Sequence, residues 1–294
     1  MKPVEFKKIL IPLDFSPTSM VAFEHAVKMA KTFKAELFML HVMEDTLLIN
    51  DIFLPETKMV NLGKISKIAE NKMMELASDV SSQIKTHAIV RQGKAAGEII
   101  ITAKEIGIDL IVMGTHGSSG FEEFFIGSNA ERVVVGASCP VLTIQSYAKT
   151  PGFKNIVFPV DNSISSRQKL AHATVLAKHF DSKIFVLGLL SEDQDKDHVK
   201  TFELKIQQVN EFLEKNQVMH ESTIVHREDH ANIIMKFASE KDADLILIMT
   251  EQEFDSSNYF LGSSAQTIVN HSKVPVLVVR PEGFEVSWTK NNPM

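Results

Sequence analysis

A chain of 294 residues, 44% of them hydrophobic, is long enough to bury two ordinary cores, so two domains are expected. The formal net charge of -6 and the scattered Lys and Arg residues exclude the basic stripe that nucleic-acid binding needs, and no apolar run reaches membrane-spanning length. The start of the chain lacks a signal-peptide pattern, and the lone cysteine, Cys139, is expected to be a small buried residue. We therefore expect a cytoplasmic protein that has neither nucleic acid nor a membrane as its partner.

The first half alternates short apolar runs with helical periodicity, a pattern typical of a parallel sheet covered by helices. Strands are predicted at about residues 7–12, 35–42, 86–91, 109–114 and 140–145, and helices at 17–33, 58–84, 95–106 and 128–136. Sheets of this kind bind ligands beyond the carboxyl ends of their strands, where the strand order reverses. The loops after Pro12, Val42 and Met113 are therefore the candidate binding region.

The second half repeats the first. "FKKILIPLDFSPTS" at Phe6 returns as "FKNIVFPVDNSISS" at Phe153, and "CPVLTIQ" at Cys139 returns as "VPVLVVR" at Val274. The offset falls from 147 to 135 residues, which places 12 extra residues between the second and third strands of the first copy. Strands of the second copy are predicted at about residues 154–160, 183–190, 220–226, 244–250 and 275–280. The expected division is a domain over residues 1–147, a domain over 153–281 and a C-terminal tail over 282–294.

"GTHGSSGFEEFFIGSNAERV" begins at Gly114 and runs from a predicted strand into a predicted helix. Glycine permits close backbone approach, and successive amides in such a loop can converge on phosphate oxygens. Gly127, Ser128 and Asn129 lie where the helix starts, and unpaired amides at a helix start favour an anion. The alternative is a merely flexible loop in which Ser128 is the N-cap of the helix.

These residues carry a family resemblance. From Phe6 to Gln145 the chain resembles the universal stress protein family, and the second half resembles it more weakly. The nucleotide-binding branch of that family is marked by Gly, two residues, Gly, nine residues, Gly and then Ser or Thr. The matching residues here are Gly114, Gly117, Gly127 and Ser128, joined to "ILIPLDFS", "LFMLHVMED" and "CPVLTIQ". The resemblance implies an α/β fold of two tandem doubly wound, Rossmann-like, five-stranded parallel-sheet domains with strand order 3-2-1-4-5.

The resemblance also implies that ATP lies between strands one and four of the first domain. It carries Asp14 onto the adenosine-binding carboxylate and Val42 onto the residue whose backbone meets the adenine edge. The motif glycines and Ser128 would contact the ribose and phosphates, while His116 and Asn129 are second-rank candidates. "SSGFEEFFI" contains two glutamates and no Lys or Arg, so these glutamates either point to solvent or face the phosphates across a divalent cation such as Mg²⁺.

The second copy departs from this motif. Met249 and Gln252 stand at the positions of the first two glycines, although the third glycine and the serine remain. The loop also gains three carboxylates, Glu251, Glu253 and Asp255. Like charges repel a phosphate strongly in a partly enclosed site, so we predict that the second domain does not bind ATP as the first does. It retains Asp161, which leaves a smaller adenosine-like ligand or a wholly different one open.

Three functions fit the sequence. The favoured one is an ATP-binding, nucleotide-responsive stress protein with a regulatory role and one competent site. A slow ATP hydrolase is the enzymatic alternative, although "DFSPTS" differs from the glycine-rich loop of the ATP pyrophosphatases and no catalytic base is evident. The third is a structural adaptor that binds no nucleotide. No residues are assigned as metal ligands, because His226 and His230 have no evident third partner.

The last strands, "PVLTIQ" and "PVLVVR", would each expose an apolar sheet edge. Because members of the family dimerise through this strand, the two domains are expected to pair through it within one chain, about an approximate two-fold axis. The apolar segment over residues 46–57 has two alternative roles, a homodimer contact or a lid over the ligand.

Overall fold

The structure is a computed structural model that describes residues 4–44, 56–80, 82–115, 127–146, 148, 151–163, 165–252 and 259–281. The elements of the first half are β1 (Lys8–Pro12), α1 (Pro17–Phe33), β2 (Glu36–Met43), α2 (Glu56–Ser78), β3 (Thr86–Gln92), α3 (Ala95–Ile106), β4 (Leu110–Gly114), α4 (Ser128–Gly136) and β5 (Val141–Ile144). Those of the second half are β6 (Asn155–Val160), a 3-10 helix (Ser165–Arg167), α5 (Leu170–Phe180), β7 (Lys183–Leu190), α6 (Lys196–Lys215), β8 (His220–His226), α7 (His230–Glu240), β9 (Leu245–Met249), β10 (Glu251–Gln252), β11 (Tyr259–Phe260), α8 (Ser263–His271) and β12 (Val276–Val279).

Most predicted elements are present, but the helix predicted over residues 58–84 ends at Ser78, so that boundary was wrong. The Ser78 hydroxyl donates a hydrogen bond to the Glu75 carbonyl oxygen (2.7 Å), a local bond that competes with continued helix. The chain then turns, and the Ile84 amide donates to the Val80 carbonyl oxygen (3.1 Å). The side chains of Val80 and Ile84 are buried, because the turn folds back onto the core.

The two-residue strands β10 and β11 were not predicted, since they are too short to show a periodicity.

All strands except β10 and β11 form one ten-stranded sheet in the order β3-β2-β1-β4-β5-β12-β9-β6-β7-β8. Neighbouring strands within each half are parallel. Each half therefore has the order 3-2-1-4-5 that was expected, and the predicted fold class is confirmed.

The two halves meet through their last strands, which pair antiparallel. Leu142 of β5 lies opposite Leu277 of β12, and these two residues are equivalents in the repeat. Near this strand pair the Gln266 side-chain amide of α8 donates to the carboxylate of Glu131 in α4 (3.0 Å), again joining equivalent positions. Contacts between equivalent residues require an approximate two-fold axis, as predicted.

The core has two layers, one on each face of the sheet, because side chains alternate along a strand. Ile9 and Ile11 of β1 point into the first layer, together with side chains from α1, α2, α5 and α6. Leu10 points into the second layer, where α3, α4, α7 and α8 contribute. Each layer contains residues of both halves, so both core layers continue from one domain into the other.

Four phenylalanines, which we call the aromatic seam, join the halves within the first layer. They are Phe6, Phe33, Phe153 and Phe180. The Phe6 and Phe33 rings meet edge-on at 5.0 Å, and the equivalent rings of Phe153 and Phe180 meet edge-on at 5.2 Å. Phe33 and Phe180 connect the two pairs at 6.0 Å. Edge-on pairs at such distances are favourable for aromatic rings, so the seam ties α1 to α5.

The sequence also raised two questions about Cys139 and about membrane-spanning helices. Cys139, just before β5, is 8% exposed, and burial raises the pKa of its thiol to about 12, which makes it a packing residue as expected. No helix within the described ranges combines the length and the apolar character needed to cross a bilayer.

Candidate functional site

The strand order of the first half reverses between β1 and β4, and we call the space beyond the carboxyl ends of these two strands the crevice. These strands are neighbours, with Ile9 opposite Leu110. The helices that follow them, α1 and α4, lie on opposite faces of the sheet. The connections therefore leave the sheet in opposite directions at this point, which is where ligands bind in open α/β sheets.

Asp14 lies at this crevice and is held by the start of α1. Its Oδ1 accepts hydrogen bonds from the backbone amide (3.0 Å) and the hydroxyl (2.6 Å) of Ser16. Ser16 is the N-cap of α1, and its Oγ accepts from the Ser19 amide (3.3 Å), while Pro17 occupies the first turn. The Asp14 side chain is exposed, so a firmly positioned carboxylate faces the crevice.

The two ends of the glycine motif that the structure describes are hydrogen-bonded together. The Gly127 amide donates to the Thr115 carbonyl oxygen (2.7 Å), and the Thr115 amide donates to the Ile144 carbonyl oxygen (2.9 Å). The start of α4 is therefore fixed beside the end of β4, next to the crevice. Gly127 is the N-cap, so the alternative in which Ser128 caps this helix is wrong. Because glycine has no side-chain acceptor, Gly127 gives no side-chain hydrogen bond to the first backbone amides of α4. Ser128 is exposed in this first turn.

Gly114, the last residue of β4, has a reason to be glycine that sequence reasoning missed. A Cβ on Gly114 would lie 2.9 Å from Thr18 Cγ2 and 3.2 Å from the Thr18 backbone carbon. The missing side chain therefore lets α1 lie against β4. In the second half Met249 takes this position, and a short 3-10 helix precedes α5 where α1 has its first turns.

Gly114→Ala is therefore expected to lower the free energy of unfolding by about 1–3 kcal/mol, since a backbone atom of Thr18 must move. Chemical denaturation measures this loss. Gly97→Ala in α3 is the matched control, because a Cβ there meets nothing within 4 Å. The control should raise stability by about 0.5–1 kcal/mol through helix propensity. Equal stability of Gly114→Ala and the wild type would contradict the packing role.

Three further residues beside Asp14 were not identified from the sequence. Phe15 has a φ of 62°, uncommon for a residue with a side chain, and its ring lies tilted against the ring of His41 in β2, with the two centroids 5.1 Å apart. Lys72 of α2 places its Nζ 4.3 Å from the centroid of the Phe15 ring. The sequence carries no pattern for these contacts, because α1, α2 and β2 meet only in the folded chain.

The remaining predicted site residues lie in different environments. Val42 is half-buried near the end of β2, and Pro12 is half-buried at the end of β1. Met113 is 6% exposed and its side chain lies in the second core layer, so only its backbone can face a ligand. Asn129 is half-buried in the first turn of α4. Outside the described residues lie His116, Gly117, the two glutamates of "SSGFEEFFI" and most of the segment 46–57.

The second half keeps the same acidic turn. Asp161 Oδ1 accepts hydrogen bonds from the amide (2.9 Å) and hydroxyl (2.6 Å) of Ser163, as Asp14 does from Ser16. Although burial opposes ionisation, the Ser163 hydrogen bonds and the charge of Lys169 hold the pKa of Asp161 below its usual value.

Lys169 is the feature that distinguishes this second crevice. It stands at the position of Ala22 in the repeat and is only 3% exposed. Its Nζ donates to the Ser166 carbonyl oxygen (2.6 Å) and lies 4.7 Å from the ring centroid of Phe158. Burial lowers the pKa of this ammonium group to about 8. An internal cation therefore accompanies Asp161, whereas the first half has the small Ala22.

The described part of the chain contains no group of three or more His, Cys, Asp or Glu side chains that could hold a metal ion. His226 ends β8 and His230 begins α7.

The fold and the crevice define the protein as a tandem Rossmann-like α/β protein. The sequence model of the Universal stress protein family matches residues 5–145 and 152–280, one match in each half. The chain therefore belongs to the universal stress protein family and carries two of its domains in tandem.

Similar proteins agree with this assignment. Universal stress protein MJ0531 of Methanocaldococcus jannaschii is 36% identical over 149 residues, covering 49% of this chain and 85% of the relative. Universal stress protein MJ0577 of the same organism is 33% identical over 157 residues, covering 48% of this chain and 96% of the relative. A universal stress protein crystal structure from Archaeoglobus fulgidus DSM 4304 matches 95% of this chain and 99% of its own, with a TM-score of 0.75 and 22% identity, and so shares the two-domain fold.

Proposed function

We propose that the first domain binds ATP in the crevice between β1 and β4, and that the protein is a nucleotide-responsive member of its family with a regulatory role in the stress response. The observation that carries the proposal is the hydrogen bond between Gly127 and Thr115. It sets the glycine-capped start of α4 at the switch point that also holds Asp14. A negative group and a positive helix end at opposite sides of one crevice suit a nucleoside at the first and phosphates at the second.

In this proposal the adenosine portion donates hydrogen bonds to Asp14, and the adenine edge meets the backbone at Val42. Ser128 and the first amides of α4 donate to the phosphate oxygens. The described residues provide no metal cage, so Mg²⁺ would enter with the phosphates that bind it. The second domain retains the acidic turn but has Met249 and the internal cation Lys169, and we assign it no ATP.

The repeat supplies a matched pair of variants for the test. Asp14→Ala and Asp161→Ala remove carboxylates with the same hydrogen bonds to a following serine, and Asp161→Ala also removes the negative charge near the buried Lys169, so its structural cost is the larger of the two. Calorimetric titration of the full chain with ATP and Mg²⁺ is expected to give one binding equivalent. Asp14→Ala should weaken binding by about 10- to 100-fold, the effect of losing a hydrogen bond to a charged group, and Asp161→Ala should leave it unchanged.

Absence of binding heat in the wild type would reject the proposal and favour the structural adaptor. An equal loss in both variants would also reject it, because the site would not be in the first domain. Phosphate release measured on the same samples tests the hydrolase alternative. Steady ATP turnover in the wild type that is lost in Asp14→Ala would show that the protein is an ATPase.

A further inference from the structure

An acidic side chain of the second half lies at the helix start that corresponds to the start of α4. The Glu251 carboxylate contacts Gly262 so closely that a Cβ on this glycine would overlap it. Gly262 is the N-cap of α8 and, like Gly127, offers no side-chain acceptor. Glu251 is therefore the anion that the chain itself places at the first turn of α8.

The backbone that carries Glu251 is fixed by pairing. Glu251 in β10 lies opposite Phe260 in the antiparallel strand β11, and only Leu261 separates β11 from Gly262, the N-cap of α8. The short hairpin thus returns the chain so that its first residue faces the start of the next helix. A carboxylate at a helix start is favoured by the positive end of the helix. The contact is therefore electrostatically stable as well as geometrically fixed.

The other end of the same crevice also contains an internal counter-charge. Lys169 is buried beside Asp161, in a position where the first half has Ala22. Asp161 and Lys169 are both hydrogen-bonded to Ser166, so an ammonium group of its own chain lies near Asp161, and a carboxylate of its own chain contacts the start of α8. Each charged feature that a nucleotide would use in the first crevice has an internal partner in the second.

We propose that Glu251 is the residue that closes the second crevice to polyphosphate ligands, by holding its own carboxylate at the start of α8. A polyphosphate approaching α8 would meet a like charge and would have to displace this side chain. The comparison with the first domain rests on the proposed ATP site, but the closure of the second crevice does not. Removing Glu251 should therefore create an anion site whether or not the first domain binds ATP.

The test uses the full chain with Asp14→Ala as the parent and Asp14→Ala/Glu251→Ala as the variant, titrated with inorganic tripolyphosphate. The added substitution is expected to tighten tripolyphosphate binding at the start of α8 by about tenfold or more, and this binding is followed at α8 itself because Asp14→Ala leaves the phosphate positions at α4 in place. In NMR spectra, tripolyphosphate should shift the amide signals of Ser263 and Ser264 in the variant and leave them unmoved in the parent. Asp14→Ala/Glu203→Ala removes the same charge from an exposed position on α6 and should behave as the parent does.

Unmoved α8 amide signals in the Glu251→Ala variant would overturn the proposal, as would equal shifts in the parent. Glu251 is exposed, so its replacement should not unfold the domain. The amide signals of Ser128 and Asn129 report separately on the first site when ATP is added to the wild type. Failure of the proposed ATP site and failure of the closure by Glu251 are therefore distinguishable in one set of spectra.

Discussion

Phe153→Ala is expected to lower the free energy of unfolding by about 4 kcal/mol, since a fully buried aromatic ring is replaced by a cavity. Phe153 is 1% exposed and meets Phe180 edge-on at 5.2 Å. It also stacks on His25 of the first half at 6.3 Å. The lost contacts therefore belong to both halves, and the variant should loosen the aromatic seam as well as the second domain.

Denaturant titration measures the loss, and hydrogen exchange locates it. Phe237→Ala is the matched control, because Phe237 is 9% exposed and pairs with Phe185 of its own half at 6.5 Å. Both variants should lose stability, but only Phe153→Ala should speed amide exchange in α1, which lies in the other half. If α1 exchanges at the same rate in both variants, the seam does not couple the domains.

Lys169→Met is expected to raise the free energy of unfolding at pH 7 by about 2–3 kcal/mol, because burial disfavours the ammonium group. Its pKa falls from the ordinary 10.5 to about 8 in the folded chain. Below pH 8 the lysine is charged in both states and the folded state bears the full penalty. As the pH rises from 8 to 10.5 the folded lysine loses its proton first and the penalty disappears.

The gain from Lys169→Met should therefore shrink steadily as the pH rises from 8 toward 10.5, when unfolding is followed by denaturant titration at each pH. The lowered pKa of Lys169 already includes the attraction of Asp161, which offsets only part of the effect of burying the ammonium group. Lys236→Met removes the same charge from a side chain that is 80% exposed, where there is no burial penalty to relieve. A gain from Lys169→Met that stays constant with pH would show that its origin is not the buried charge.

The fold could be predicted because its determinants are local and repeated. The strands are near-continuous apolar runs, and the ranges of α1, α3 and α4 follow from apolar periodicity and from residues such as Pro17 at a helix start. The repeat predicted two copies of one fold, and the family resemblance implied the strand order within each copy. The end of α2 was missed because it depends on a hydroxyl bond at Ser78 and on the burial of the following turn, which leave no periodic pattern.

The candidate site could be predicted in part. Asp14, Gly127 and Ser128 are recognisable because their spacing places them at strand ends and at a helix start. Phe15 could not be recognised, since its ring contacts depend on helices and strands that are distant in sequence. The structural reason for Gly114 was also missed, because the atom that its Cβ would meet belongs to Thr18.

The sequence by itself thus determined that this protein has two copies of one α/β fold and that the glycine motif is complete only in the first copy. Periodicity, spacing and repetition are properties of the sequence itself, so they can be recognised without the structure. Only the tertiary structure decided that Lys169 is buried beside Asp161 and that Glu251 lies on Gly262. Burial and charge pairing depend on which distant segments come into contact, and the packing of sheet and helices sets those contacts.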